Sequence, residues 1–243
     1  MSTEPASPAA ITALCAGAMS AIVRELVEGF RRTTGMPTAV EFTRSGLVRD
    51  RVQSGERVDV VITTRSALAQ LVELGKVLSD SVVAVAHSGI GIAVRTGAAK
   101  PDIDSTLAFT RTLHGATSIA YADPATGSPS GNYLVALFDR LGMSAELSPK
   151  TRLVGAAGGH AVVVCEMVAA GGAEIGIQQI SEILPVSGVE LVGPLPPELQ
   201  HLTTFSAAVG ADAEYPDAAR RLIAFMSSAA AAPVIKAKGM EPA

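Results

Sequence analysis

Four stretches of the chain put glycine and hydroxyl residues where a strand-like run gives way to a helix-like one. They are Ala16-Gly17-Ala18-Met19-Ser20, Thr43-Arg44-Ser45-Gly46, Gly127-Ser128-Pro129-Ser130-Gly131 and Gly158-Gly159-His160. The first N–H groups of a helix have no partner within it, and they carry the positive end of its dipole. Such a junction holds an oxyanion without needing a metal. Taken singly, glycine and serine before a helix are ordinary caps; four junctions facing one cleft can enclose one anion. Ser45 and Ser130 are the strongest ligand contacts, with Ala18, Met19, Gly46, Thr64, Ser128, Gly131 and Ala161 in the same ring.

Charged and titratable residues sharpen this expectation. Arg44 follows a strand, where its guanidinium can grip a carboxylate in bidentate fashion, each charge-assisted hydrogen bond contributing about 1.5–3 kcal/mol. The competing reading is a surface arginine paired with Glu41 or Asp50. His160, beside two glycines at a helix start, can donate to an anion or accept a proton near neutral pH; otherwise it is a solvated loop histidine. Asn132 and Tyr133 occupy the first helical turn after Gly131, and Tyr133 is either a proton carrier or packing between lobes. Gln178, Gln179 and Ser181 form a polar group after the strand-like Glu174–Ile177, and Gln179 joins the pocket residues.

Several classes have no support. The formal net charge is -4, and no basic run exceeds the pair Arg31-Arg32. Nucleic-acid binding requires clustered basic residues, and single-strand binders add aromatic platforms, whereas this chain has no Trp and 4% aromatics. Cys15 and Cys165 lie far apart, neither in a C-x-x-C pair, and read as buried small hydrophobes. A Walker loop, G-x-G-x-x-G, H-E-x-x-H and a recognisable nucleophile elbow are all lacking. The expected site therefore uses neither metal nor cofactor and takes a small anionic ligand. No apolar run approaches the roughly 20 residues needed to span a bilayer. The apolar Ala9–Met19 lacks a preceding Lys or Arg, so it reads as a first core strand rather than an export signal, and the expected location is cytoplasmic.

The elements that must position these residues alternate. β-like runs at Ile11–Ala16, Ala39–Arg44 and Val58–Thr64 are separated by helical spacing, the α/β pattern of a parallel sheet. The first helix, with Ile22, Val23, Leu26, Val27 and Phe30 on one face, starts near Ser20 and stops at Gly35. A second follows Ser45-Gly46 and ends by Gly55, and a third ends at Gly75. The β-branched run from Val82 to Val94, broken at His87-Ser88-Gly89, suits a first crossing between lobes. Further strands fall at Ser118–Tyr121, Arg152–Val154 and Glu174–Gln178, with helices at Asn132–Leu141 and Ala161–Ala170. Val189–Val192 and Leu202–Val209 return the chain to the first lobe, and Pro216–Ser228 and an Ala-rich helix including Ala229–Ala232 finish it. The expected division is 1–84 plus 201–243 as one lobe and 85–200 as the other.

Ala-Gly-Ala-Met-Ser, Phe-Thr-Arg-Ser-Gly, Val-Asp-Val-Val-Ile-Thr-Thr, Asp-Pro-x5-Ser-Gly-Asn-Tyr and Glu-Ile-Gly-Ile-Gln-Gln, in that order, resemble the molybdate-binding proteins of ABC importers over roughly residues 10 to 240. The resemblance implies the two-lobed type II periplasmic-binding-protein-like α/β fold with two hinge crossovers, a monomer, and contacts from Ser45, Ser130 and Ala161. It implies an ABC permease partner only if the chain is exported. Ala18 stands where that family carries a ligand serine, and Gln179 where it carries a tyrosine. With Arg44 and His160, these departures favour an organic carboxylate over molybdate. The run from Gln179 to Pro185 and the following Val-Gly-Pro-Leu-Pro resemble a branch that includes aconitate isomerase. That likeness implies a cofactor-independent allylic proton transfer in a tricarboxylate, with His160 or Tyr133 as the carrier.

Overall fold

The computed structural model describes residues 10–155 and 163–243. The chain builds two mixed sheets flanked by helices. The first opens with strand β1 (Ile11–Ala16), helix α1 (Ser20–Thr34), β2 (Thr38–Thr43), α2 (Ser45–Gln53), β3 (Val60–Thr64), α3 (Arg65–Glu73) and β4 (Val83–Ser88). The second is built from β5 (Ile90–Arg95), α4 (Thr106–Gly115), β6 (Ile119–Ala122), α5 (Pro129–Arg140), α6 (Ser144–Leu147), β7 (Thr151–Val154), α7 (Val163–Ala169), β8 (Ile175–Gln179), α8 (Ile180–Ile183) and β9 (Val189–Pro194). The chain then rejoins the first sheet as β10 (Thr203–Val209), followed by α9 (Pro216–Met226), α10 (Ala232–Ala237) and β11 (Glu241–Pro242).

Strand order is β11-β4-β10-β3-β1-β2 in one sheet and β7-β6-β8-β5-β9 in the other. β2, β1 and β3 pair in parallel, as do β7, β6 and β8. The parallel pairing expected from the alternating elements holds within each lobe's βα units and gives way to antiparallel pairing where the chain changes lobe. β10 runs antiparallel between β3 and β4, and β5 runs antiparallel between β8 and β9. The Val82–Val94 run, which offers no periodicity to mark a break, is two strands in different sheets, and Gly89 separates them.

Burial on both faces explains the central sequences. β3 reads Val-Val-Ile-Thr-Thr and is buried throughout, as expected of a strand covered on both sides. On one face, Ile22, Val23, Leu26 and Phe30 of α1 pack with Leu222, Ile223 and Met226 of α9; on the other, Leu68 and Leu71 of α3 meet Val48 and Val52 of α2. Gly35 ends α1 in the left-handed region (φ 74°), its N–H bonded to the Arg31 carbonyl. In the second lobe Phe109, Leu113, Leu134, Leu137 and Phe138 cover one face. The C-terminal expectation needs correction: Ala229–Ala231 form turns and helix resumes only at Ala232, where Pro233 sits in the first turn.

Two polar groups lock this framework. Asp59, 2% exposed, accepts from the N–H and hydroxyl of Thr12 and from the N–H of Tyr215. The Gln200 amide, on the returning connection, donates to the Ile90 carbonyl (2.9 Å) and accepts from the Ile90 N–H (2.8 Å), tying the two crossovers together. Among the described residues no helix is long and apolar enough to cross a membrane.

Candidate functional site

The carboxyl ends of the parallel strands in both lobes face a common cleft, the place where open α/β sheets bind ligands. Between the lobes lies a cavity of ≈ 50 Å³. A single water needs roughly 10–15 Å³ on the same scale, so there is room for a small polyatomic anion. The first lobe contributes Gly17 and Ala18 after β1, Arg44 and Ser45 between β2 and α2, and Phe205 from β10. The second contributes Thr126, Ser128, Pro129 and Ser130 around the start of α5, Gln178 and Gln179 ending β8, Glu182 of α8, and an apolar floor of Ala122, Val154 and Val164.

Each junction has a local cause. Ser45 is the first residue of α2 and Ser130 lies in the first turn of α5, so both buried hydroxyls sit beside the unpaired N–H groups of helix starts. The Ser128 hydroxyl caps α5 by accepting from the Gly131 N–H (3.2 Å) and lies 3.3 Å from the Ser130 hydroxyl. Arg44 pairs with neither Glu41 nor Asp50, which bind Arg51 and Arg49 instead. Its Nη2 donates to the Gly155 carbonyl of the other lobe at 2.8 Å, which aims the guanidinium across the cleft.

Of the residues singled out from sequence, Ala18, Arg44, Ser45, Ser128, Ser130 and Gln179 line this cavity together. Met19 does not: it is fully buried in the first lobe's core. Gly46 and Gly131 act through their lack of a side chain. A Cβ on Gly46 would come 2.9 Å from the Thr126 carbonyl oxygen and 3.2 Å from the Gly127 Cα of the opposite lobe, and one on Gly131 would come 2.2 Å from the Ala122 carbonyl oxygen. Thr64 caps α3, accepting from the Ala67 N–H, and faces a neighbouring pocket. Tyr133 also faces that pocket, where its hydroxyl donates to the Leu199 carbonyl (2.8 Å) and its ring stacks on His201 (4.6 Å). His160 and Ala161 lie outside the described residues.

Two residues that carry polar chemistry into the cavity escaped the sequence reading's candidate set. Gln178 is 1% exposed, and neither its Oε1 nor its Nε2 has a partner among the described residues. A buried amide left unpaired on both sides costs about 1–3 kcal/mol per group, and a bound ligand or water would satisfy it. Gln179 spends its Nε2 on the Thr203 hydroxyl (2.8 Å), and its Oε1 has no partner among the described residues. Glu182 is the other addition. Burial pushes its carboxyl up to about 8, and it forms no ion pair among the described residues. The sequence signal available for both was position: Gln178 lies at a strand's carboxyl end, and Glu182 one turn beyond it.

The cysteines behave as expected of small hydrophobes. Both are buried free thiols; burial raises both, with Cys165 pushed up to about 12 by burial first and by Glu182 second. Among the described residues no group of three or more His, Cys, Asp or Glu side chains is placed to hold a metal ion.

Residues 11–241, and thus both lobes, match the family described as bacterial extracellular solute-binding protein. This chain belongs to that family. A relative named aconitate isomerase, from a Pseudomonas species, is 36% identical over 238 residues, covering 96% of this chain and 87% of that protein. The periplasmic molybdate-binding protein of Azotobacter vinelandii superposes with a TM-score of 0.78 at 19% identity, covering 95% of this chain and 98% of that one. Peb3, a Campylobacter jejuni protein solved with L-phospholactate bound, gives 0.72 at 15% identity, covering 95% and 99%. These solute-binding structures establish the two-lobed α/β architecture expected from the sequence.

Proposed function

We propose that this protein binds a small polycarboxylate between its lobes and isomerises it, with aconitate as the substrate. The observation that carries this reading is the 36% identity to aconitate isomerase, which extends over 87% of that protein. The cavity supports it chemically. Arg44 supplies a cation with donors beyond the one bonded to Gly155, Ser45 and Ser130 supply hydroxyls at helix starts, and Gln178 supplies a donor and an acceptor that have no partner among the described residues. Charge-assisted bonds of this kind fix carboxylate groups in register.

Trans- and cis-aconitate have the same composition, so the conversion is balanced by moving one proton and one double bond. A base takes a proton from the methylene carbon, and the C–H electron pair enters the allylic system and places charge on the conjugated carboxylate. A proton then returns to the former vinyl carbon. The protein's contribution is to orient the substrate, stabilise the delocalised charge by preorganised donors, and exclude water when the lobes meet.

The test is a proton NMR time course of the purified protein with trans-aconitate. Appearance of the cis isomer, abolished by heating the protein, is the expected result. Line broadening without conversion would leave a carboxylate-binding protein and reject the isomerase, and neither effect would reject carboxylates in favour of inorganic oxyanions.

A further inference from the structure

Glu182 occupies a wall shared by two spaces. One is the interlobe cavity; the other is an open pocket of ≈ 510 Å³ lined by Gly17, Ser20, Arg24, Glu166, Ser181 and Pro185 among others. Among the described residues lining the cavity it is the only acid, and Arg44 is the only cation. Its backbone is fixed: α8 starts directly from β8, the Ile180 N–H donates to the Gly89 carbonyl (2.9 Å), and the Leu184 N–H closes back on the Ile180 carbonyl (3.1 Å). Glu182 thus stands on a backbone held by the scaffold, at a wall that borders the ligand space on one side and the open pocket on the other.

We propose that Glu182 is a catalytic residue of this site, taking the proton from the methylene carbon of the bound tricarboxylate and returning one to the former vinyl carbon. This rests on the isomerase reading above. The pair of steps leaves the carboxylate regenerated and needs no oxidant, reductant or co-substrate. A carboxyl raised toward neutral by burial suits the exchange, since proton transfer is most efficient when the carrier's pKa lies near the working pH. Among the described residues, the charged and titratable groups lining the two spaces it borders are Arg44, just before α2, Arg24 of α1 and Glu166 of α7, and Cys165 of α7 lies close enough to feel its charge; the rise of its own carboxyl comes from burial. Arg44, across the cavity, is placed to receive the charge that develops on the carboxylate when the methylene proton leaves.

Glu182→Gln tests this with little disturbance, because the amide keeps the shape of the carboxyl but cannot take up the methylene proton. Turnover of trans-aconitate and incorporation of deuterium from D2O are followed by NMR, and binding by calorimetry. The expected result is turnover and deuterium incorporation reduced at least 100-fold, with affinity within about threefold. Glu182→Asp should retain part of the activity with a displaced pH inflection; this second variant decides the matter if Gln impairs folding. Wild-type turnover in Glu182→Gln, or turnover lost only in proportion to affinity, overturns the role of Glu182 and leaves the isomerase intact. Binding without turnover in the wild type overturns both.

Discussion

Gly46 touches the other lobe, and a single methyl there separates lobe stability from lobe closure. In Gly46→Ala the new Cβ meets the Thr126 carbonyl oxygen at 2.9 Å, where ordinary contact begins near 3.4 Å, so the lobes must part by about 0.5 Å. Both atoms it meets, including the Gly127 Cα at 3.2 Å, are backbone and cannot swing aside. Overpacking of this kind costs about 1–3 kcal/mol. Because it falls only on the closed form, the cost appears as affinity weakened by roughly 5- to 150-fold. Gly46 has a negative φ in the first turn of α2, so alanine is locally tolerated and favours the helix by up to about 1 kcal/mol. Calorimetry with trans-aconitate and a thermal melt without ligand, run on the same sample, give the two readings. The expected pattern is weaker binding with an unchanged or higher Tm. Unchanged affinity, or an affinity loss accompanied by a lower Tm, would refute closure through this contact.

Arg44→Ala should weaken a carboxylate ligand at least tenfold, or about 1.4 kcal/mol, and equal affinity by calorimetry would remove Arg44 from the site. Glu182 is raised in the folded protein, so its protonated form favours folding below about pH 4.3, and that contribution is lost as pH rises toward about 8. Glu182→Gln should therefore match wild-type Tm near pH 4 and exceed it increasingly toward pH 8; a difference independent of pH would contradict the buried carboxyl. For Asp59, burial alone would raise the carboxyl, but bonds from Thr12, Tyr215 and Glu214 together hold it below the usual range. Its stabilisation is present above the unfolded value near 3.9 and lost as pH falls through the lower folded value. Asp59→Ala should cost about 2–4 kcal/mol in urea at pH 7 and narrow the gap to wild type in acid.

Much of the fold was legible because its signals are local. Gly35 and Gly75 end helices, and continuous apolar runs such as Val60–Thr64 mark strands covered on both faces. The direction of β5 and β10 was not, since pairing direction follows from which distant strand is met and leaves no trace in periodicity. The site shows the same division. Ser45 and Ser130 stood out as candidates because hydroxyls at helix starts have a recognisable spacing, and Arg44 because it abuts one of them; all three line the cavity. Glu182 did not, since what sets it apart is its place between two spaces and the raised carboxyl that burial gives it after folding, and a glutamate in a short amphipathic segment looks like any solvated acid. For Tyr133 position alone left two alternatives open: the first turn of α5 suits a ligand contact, and the contacts it makes, to a facing imidazole and the Leu199 carbonyl, come from distant segments.

The position of β10 also governs how the chain is made. It is the antiparallel partner of both β3 and β4, yet it is encoded after the whole second lobe. While the ribosome is still translating residues before 203, β3 presents an open backbone edge of buried, apolar character beside β1, of the sort that recruits strands from other chains. The second lobe has all five of its strands by residue 194 and can form first. The first lobe must wait until β10 has been made, so a ribosome stalled between residues 95 and 203 holds the chain at its most aggregation-prone.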